Sequence, residues 1–593
     1  RALAVLEKAL AARPGFPDAL ETRGLLLLEA QQYAEAAQML GQRVQQGGDP
    51  RVLAQHHLTL GALYQQHLND PNRAAAHLQT ALATLPRHPE ALERLATVYA
   101  QGRNFGGAVD CLRRLLDQDL PNDARARFTV ELARIHDEGL GDVASATALY
   151  KKALELTPGE PALVDRLVAL YERQRNLPEL AQMLEAQAAA TASTDVKRAV
   201  ALRIRVAGFY AGPLAEPARA TVILRQLVEQ DPQNLQARAA LAELYGRDMA
   251  SYPLAIEEHR QLLRLDPARL ESLHALFKLW DAQKQQDKAF AVAAVLTFLR
   301  ATNEVEQAFY SEARVRQPQE PREALPANDV DTVLMHPAAR GPLTDLLRAM
   351  GEHLGKVFPP QFEMLGVNPK TDKLKPDSAV FKAVRAVAQT FGVEDFEVYL
   401  ARRGLLQLET TEPLSLCVGQ DVVRRFNARE QKFLIGKAVL GLLNKTAVLS
   451  KTSQGETVDL FGNAIRVHVQ QFNGLGRRND EMTKQLKKAF NRKAMKASEG
   501  PAQTLSEQSK IDVASVVDAL AYSADRAGLL VCGDPSVGLT MLLREDPNIV
   551  ANKQESPEAI LQAVRERADL KALLTWLLTD DFFRLRQRLG LSL

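Results

Sequence analysis

The sequence predicts a mainly α protein, an α-solenoid of paired helices followed by a smaller α+β domain. Three observations predict it. Prolines at Pro14, Pro50, Pro86, Pro121, Pro158, Pro232 and Pro267 recur at intervals of about 36 residues or twice that. An aromatic residue or histidine keeps the same period at Tyr64, Tyr99, His136, Tyr171, Tyr210, Tyr245 and Trp280. Beyond a polar, proline-bearing run at Arg316–Asp329 the period stops, and short alternating segments join the helices.

At 593 residues the chain is too long for one core. The expected division is a helical-repeat array over 1–312, a linker over 313–330 marked by Pro318, Pro321 and Pro326, and an α+β domain over 331–593. Composition is that of a soluble protein, with 46% hydrophobic and 25% charged residues and a mean hydropathy of −0.20. A net charge of +2 argues for neither nucleic acid nor an acidic substrate. Cys111, Cys417 and Cys532 form no CxxC pair, so no disulfide framework or zinc knuckle is expected. A cytoplasmic location fits, although a cysteine-poor periplasmic protein would have the same composition. High Ala, Arg and Leu usage is typical of GC-rich bacteria.

The opening stretch RALAVLEKALAARP reads as the second helix of a repeat already under way, so the array is expected to continue upstream. Each unit places apolar residues at helical spacing on two consecutive segments. In Gln55–Pro86, Leu60, Gly61 and Tyr64 mark the first helix and Ala75, Leu78, Ala81 and Leu82 the second, around a turn at Asn69-Asp70-Pro71. Small residues such as Gly61 and Ala75 allow close approach, the Tyr fills the space between pairs, and a proline ends the second helix. The apolar run Ala289–Leu299 is about half the roughly 20 residues of a membrane helix and reads as a buried one.

This pattern resembles the tetratricopeptide repeat. The matching residues are Leu60-Gly61 with Tyr64, Leu95-Ala96 with Tyr99, Leu132-Ala133 with His136, Leu167-Val168 with Tyr171, Val206-Ala207 with Tyr210, Leu241-Ala242 with Tyr245, and Leu276-Phe277 with Trp280. The stretch Leu184–Pro217 departs furthest. The resemblance implies a right-handed solenoid with a concave groove lined by first helices. In that register the groove carries Glu21, Glu29, Glu90, Glu93, Arg134, Asp137, Glu138, Asp165, Glu172, Arg173, Glu243, Arg247, Glu271 and Lys278. The lining is then acidic with scattered arginines, and the expected partner is a protein segment of basic or mixed charge. The Lys/Asn cluster with which chaperone-binding members hold a carboxylate terminus is missing.

In the C-terminal half, Leu343–Val357 and Ser378–Phe391 read as helices, and Phe396–Leu408 and Pro413–Gly419 as a strand hairpin turning at Thr410–Glu412. Further helices are expected over Asn427–Asn444 (capped by Asn427 with Glu430), Asp512–Val531, Ser556–Arg567 and Ala568–Leu589. The framework Glu430…Gly436 and Ala524-Asp525-Arg526 is similar to that of HtpX-like zinc peptidases. Carried over position by position, the first metal ligand becomes Lys437, the general base Ala438, the second ligand Gly441 and the third Ala521. The resemblance therefore implies a peptidase-like shell without its metal, and no cofactor is expected. His336, His353 and His468 offer no i, i+4 pair, and the Glu352-His353 echo stands alone. GxSxG, Walker A and GxGxxG signatures are missing as well.

Arg477, Arg478, Lys484, Lys487, Lys488, Arg492, Lys493 and Lys496 form a basic amphipathic stretch ahead of an expected loop at Ala497–Gln508. Such a helix suits phosphates, anionic lipid or an acidic partner. Without interleaved aromatics, nucleic acid is the weakest fit. The sequence thus favours a non-enzymatic scaffold without a small-molecule substrate. A metallopeptidase with an unrecognised metal site and an anionic-surface binder are the alternatives.

Overall fold

A computed structural model describes residues 2–158, 160–545 and 556–593. The chain is mainly α, with one three-stranded sheet. It divides into two compact units, Arg1–Pro232 and Gln233–Leu593.

The first unit opens with the helix Ala2–Ala12 and continues as helix–turn–helix pairs. These are Pro17–Glu29 with Tyr33–Gln45, Pro50–Gln66 with Pro71–Thr84, and Pro89–Gln101 with Phe105–Leu116. Next come Asn122–Arg134 with Val143–Leu156, Pro161–Gln174 with Leu177–Thr191, and Val196–Ala211 with Pro217–Gln230. The prolines have two roles. Pro14, Pro86 and Pro158 follow second helices, as expected, whereas Pro50 is the first residue of a first helix, capped by Asp49. Pro17, Pro71, Pro89, Pro161 and Pro217 also open helices, where a missing N–H leaves no bond unmade.

The aromatic ladder has a backbone counterpart. The N–H of the residue just before each second helix donates to the ladder residue's carbonyl: Asp70 to Tyr64 (2.9 Å), Asn104 to Tyr99 (2.8 Å), Asp142 to His136 (2.8 Å), Asn176 to Tyr171 (3.0 Å) and Glu216 to Tyr210 (2.8 Å). The residue before each of those donors, Asn69, Arg103, Gly141, Arg175 or Ala215, has positive φ, which turns the chain back on itself. Within a pair the expected close approach is present. A Cβ on Gly61 would lie 2.6 Å from Leu78 Cγ, and one on Gly24 2.8 Å from Leu40 Cγ.

The second unit contains the helices Leu235–Tyr245, Tyr252–Leu265, Leu270–Ala282, Gln286–Phe298 and Glu304–Arg316 together with everything that follows them. The apolar run is a helix buried on every side, with Ala289 to Leu296 all at most 1% exposed. The division between units thus lies at Pro232/Gln233, and the proline-bearing stretch 313–330 runs inside the second unit. Its Arg322 N–H donates to Leu589 O at 2.9 Å and its Leu325 N–H to Thr390 O at 2.8 Å. Leu325 is itself buried.

The expected hairpin is a three-stranded sheet instead. The strands β1 (Glu397–Ala401), β2 (Leu406–Glu409) and β3 (Ser415–Gly419) lie in the order β1-β3-β2. β3 is parallel to β1, with Leu416 opposite Val398, and antiparallel to β2, with Leu416 also opposite Leu408. Gly404 (φ 79°) breaks the first segment in two. A Cβ on Gly419 would fall 2.0 Å from its carbonyl oxygen, so only glycine ends β3 there. The long helix Ala428–Leu443 carries the expected Asn427/Glu430 capping box. Leu343–Val357 is a helix, Pro342–Met350, followed by a 3-10 segment, and Ala568–Leu589 breaks into Ala568–Leu577 and Asp580–Arg588. The expected loop Ala497–Gln508 is mostly helix, since Arg492–Ser506 runs through Pro501 with Ser498, Ala502 and Leu505 buried.

Candidate functional site

The predicted groove residues lie on the first helices or, for Asp137, Glu138 and Arg247, in the turn that continues one, and most are ion-paired. Five pairs cross from one first helix to the next: Glu93–Arg127 (3.0 Å), Glu138–Arg166 (3.1 Å), Asp137–Arg173 (2.6 Å), Asp165–Arg198 (3.3 Å) and Glu172–Arg205. The acid always comes from the earlier helix and the guanidinium from the later one. Asp137 sits in the π-helical turn Ile135–Gly139 and is buried, its side chain 7% exposed. The others are surface pairs, each worth about 0–1 kcal/mol. Glu21 accepts from His56 (3.0 Å) and Arg43, Glu90 pairs with Arg94, and Arg134 with Glu131 and Glu138. Glu29 is exposed and has no ion pair among the described residues.

The predicted groove residues are therefore largely charge-compensated, where the sequence suggested an acidic set. The residues missed are Arg127, Arg166, Arg198 and Arg205. Three of them lie about one repeat beyond their acids, and that spacing was the available signal.

In the second unit four predicted residues, Glu243, Arg247, Glu271 and Lys278, line one cavity of about 650 Å³ with Arg269. At its wall His259 Nδ1 lies 3.2 Å from the Ser272 hydroxyl, and both residues are buried. Burial, and then Arg269, pulls the His259 pKa down to about 4. Glu243 pairs with Arg247 at 3.0 Å, and the buried Arg269 Nε, 3.9 Å from Glu271 Oε2, has no hydrogen-bond acceptor among the described residues. The cavity presents both signs of charge over an apolar floor of Ala239, Ala242 and Leu262.

The helices Ala428–Leu443 and Val513–Cys532 carry the two framework motifs and cross in contact. A Cβ on Gly436 would meet Gly528 Cα at 2.8 Å and Val531 Cγ2 at 2.7 Å. Directly after Gly436, Lys437 Nζ is 2.8 Å from Asp525 Oδ1 and 2.7 Å from Glu545 Oε1. Burial pushes the Asp525 pKa up to about 6, against the pull of Lys437. Burial by itself would depress Lys437, but the two carboxylates outweigh it and hold its pKa above the ordinary value. Ala438 is half-buried, Ala521 is exposed, and Gly441 faces Leu408 of β2, whose Cδ1 would lie 2.6 Å from an added Cβ. Of the four expected positions only Lys437 meets charged groups. Among the described residues no three His, Cys, Asp or Glu side chains converge as metal ligands.

All eight residues of the basic stretch are exposed, on and beside the helices Asp480–Ala489 and Arg492–Ser506. Arg478 pairs with Asp480. Leu486, Ala489 and Phe490 anchor the opposite side. No described helix is long and apolar enough to cross a membrane.

The successive helix pairs of the first unit form an α-solenoid. Tetratricopeptide-repeat family models match residues 1–50 and 67–128. Among solved structures, one titled as a functional characterisation of Pseudomonas aeruginosa pilF is 21% identical, over 38% of this chain and 97% of that one, with a TM-score of 0.23. A MamA structure is 19% identical over 29% and 95% of the two chains, with a TM-score of 0.25. The C-terminal part of a TPR protein from Cytophaga hutchinsonii is 15% identical over 40% and 93%, with a TM-score of 0.27. No curated protein matches the chain.

Proposed function

We propose that this chain is a non-enzymatic scaffold whose first helices hold a partner segment of mixed charge. Tetratricopeptide repeats in general mediate protein–protein interaction. The observation that carries the proposal is the run of five acid–arginine pairs between successive first helices. It gives that face alternating charge, so a segment with both signs can exchange pairs with it, whereas a purely basic one must displace the arginines. The C-terminal domain is, in the same proposal, a peptidase-like shell in which the Lys437 ammonium occupies the place of a metal cation. The Gly436–Gly528 crossing and the two carboxylates facing Lys437 support this.

The test is affinity capture from the native cell with wild type and with Glu93→Lys/Glu172→Lys, both confirmed as folded by circular dichroism. Proteins retained by wild type and lost from the variant support the scaffold. Identical captured sets from both contradict it.

The exposed lysines favour a second surface. Lys484, Lys487, Lys488, Arg492, Lys493 and Lys496 have no carboxylate partner among the described residues, and each would add about 1 kcal/mol near anionic lipid. Salt-sensitive binding to phosphatidylserine vesicles, lost on charge reversal of Lys484, Lys487 and Lys488, tests that surface.

A further inference from the structure

A second cavity in the Gln233–Leu593 unit has an unusual charge pattern. It is an open cleft of about 500 Å³ between the helices Val513–Cys532 and Ala568–Leu577 and the turn Pro337–Ala339. That volume is in the range of small-ligand sites. Four cations line it, Arg264, Arg340, Arg526 and Lys571, against the single lining carboxylate of Asp581, and Arg264 also lies 3.8 Å from Glu257 outside the lining. Asp581 itself pairs with Arg584 at 2.8 Å.

The innermost cation is the informative one. Arg526 is 7% exposed and no carboxylate lies within ion-pair distance of it among the described residues. Its Nη1 donates to Leu334 O at 3.2 Å, and its guanidinium carbon stands 5.0 Å from the Trp576 ring centroid. Among the described residues its Nε has no acceptor. The indole N–H of Trp576, 5% exposed, has none either. Burial, and then Arg340, pulls the Arg526 pKa down to about 10, so its surroundings disfavour the charge. Among the described residues Arg340 bonds only the Met335 carbonyl, at 2.8 and 3.2 Å, and Lys571 has no ion pair. A buried guanidinium without a counter-ion is strongly disfavoured, and buried N–H groups are almost always bonded. Both deficits lie in the wall of one cavity.

We propose that this cavity binds a small ligand bearing two or more oxyanion groups, phosphate or carboxylate. One group is held by Arg526 at the inner wall, and the other by Lys571 and Arg264 toward the mouth. Planar forked guanidinium groups suit either oxyanion. The ligand supplies the negative charge that the lining lacks, and it needs no catalytic group.

Calorimetric titration of the full chain at low salt, with pyrophosphate in one arm and citrate in the other, tests the assignment. Binding of either at one per chain is expected. The Lys571→Gln/Arg264→Gln double variant, whose side chains are exposed and outside the core, should weaken it tenfold or more. Arg526→Gln should abolish it. Where Arg526→Gln does not fold, the double variant decides alone. Binding of pyrophosphate only assigns a phosphoryl ligand, and of citrate only a polycarboxylate. No binding of either, or binding unchanged in a folded double variant, overturns the proposal.

Discussion

Arg173 Nη1 lies 2.6 Å from Asp137 Oδ1, joining the π-helical turn of one repeat to the first helix of the next. The two ends of this pair differ in environment: the Asp137 side chain is 7% exposed and that of Arg173 52%. Removing the arginine therefore strands a buried carboxylate, a loss of about 1–3 kcal/mol. In the neighbouring Glu172–Arg205 pair both side chains are 44% exposed, and removing that arginine should change stability by less than about 1 kcal/mol. Urea unfolding of Arg173→Leu and Arg205→Leu checks the contrast. Equal effects would mean that burial does not rank these pairs.

His57 Nδ1 and His77 Nδ1 are 2.9 Å apart, and His77 stacks on Tyr64. Burial, then His57 and Arg73, pulls the His77 pKa down to about 4, and burial lowers His57 too. The unfolded chain, with histidine near pKa 6.5, binds more protons than the folded one between about pH 6.5 and 4. The stabilisation is therefore complete above pH 6.5 and is lost as pH falls toward 4. Amide protection in Pro50–Gln66 and Pro71–Thr84, taken relative to the intrinsic exchange rate at each pH, should fall in wild type as pH drops through that window. In His77→Gln the pH dependence should flatten, and an unchanged slope would count against the pair as its source.

The Gly436–Gly528 crossing leaves no space for a methyl group. Gly436→Ala should lower the stability of the second unit by about 1–3 kcal/mol. Gly455, exposed in the first turn of the helix Gln454–Arg466, has nothing within 4 Å of an added Cβ, so Gly455→Ala should be neutral or stabilising by up to about 1 kcal/mol. Both tryptophans lie in this unit, so their fluorescence during denaturation reads the two variants directly.

Lys437→Met removes the cation between Asp525 and Glu545. Breaking a buried pair in this way costs about 3 kcal/mol or more, most of it from Asp525, which is 5% exposed. Because the folded Asp525 pKa is raised, to about 6, its ionisation destabilises the fold as pH rises through that value. Without Lys437 that pKa climbs further, so the variant should be weaker at pH 8 than at pH 5. Asp525→Asn added to Lys437→Met should flatten the difference. Zinc analysis of the wild-type protein is a companion check, since stoichiometric zinc would contradict the proposed shell.

The sequence made the repeat visible because each ladder residue does two jobs that keep it in register. Tyr99, for example, packs its ring on Gly107 and also accepts the turn-closing bond from Asn104. The left-handed turn residues could not be read, since Gln31, Arg103, Arg175 and Ala215 carry no glycine-like signal. Prolines at 318, 321 and 326 signal a change of chain direction, and the core runs on past them. The better sign was the helix at 286–298, apolar on every side and so requiring a second layer around it. The parallel β1–β3 pairing is non-local and left no mark on either strand. In the candidate groove the acids and Arg173 were singled out, whereas the partners Arg127, Arg166, Arg198 and Arg205 were not, because a pair is a property of two repeats and the residues were weighed within one.

The central claim is that a partner lies along the first helices, and site-specific photocrosslinking in the native cell tests it most directly. A photoreactive residue at Glu172, on a first helix, should crosslink to a defined partner. The same residue at Lys152, exposed on a second helix, should not. Crosslinks from Lys152 and none from Glu172 would contradict the account.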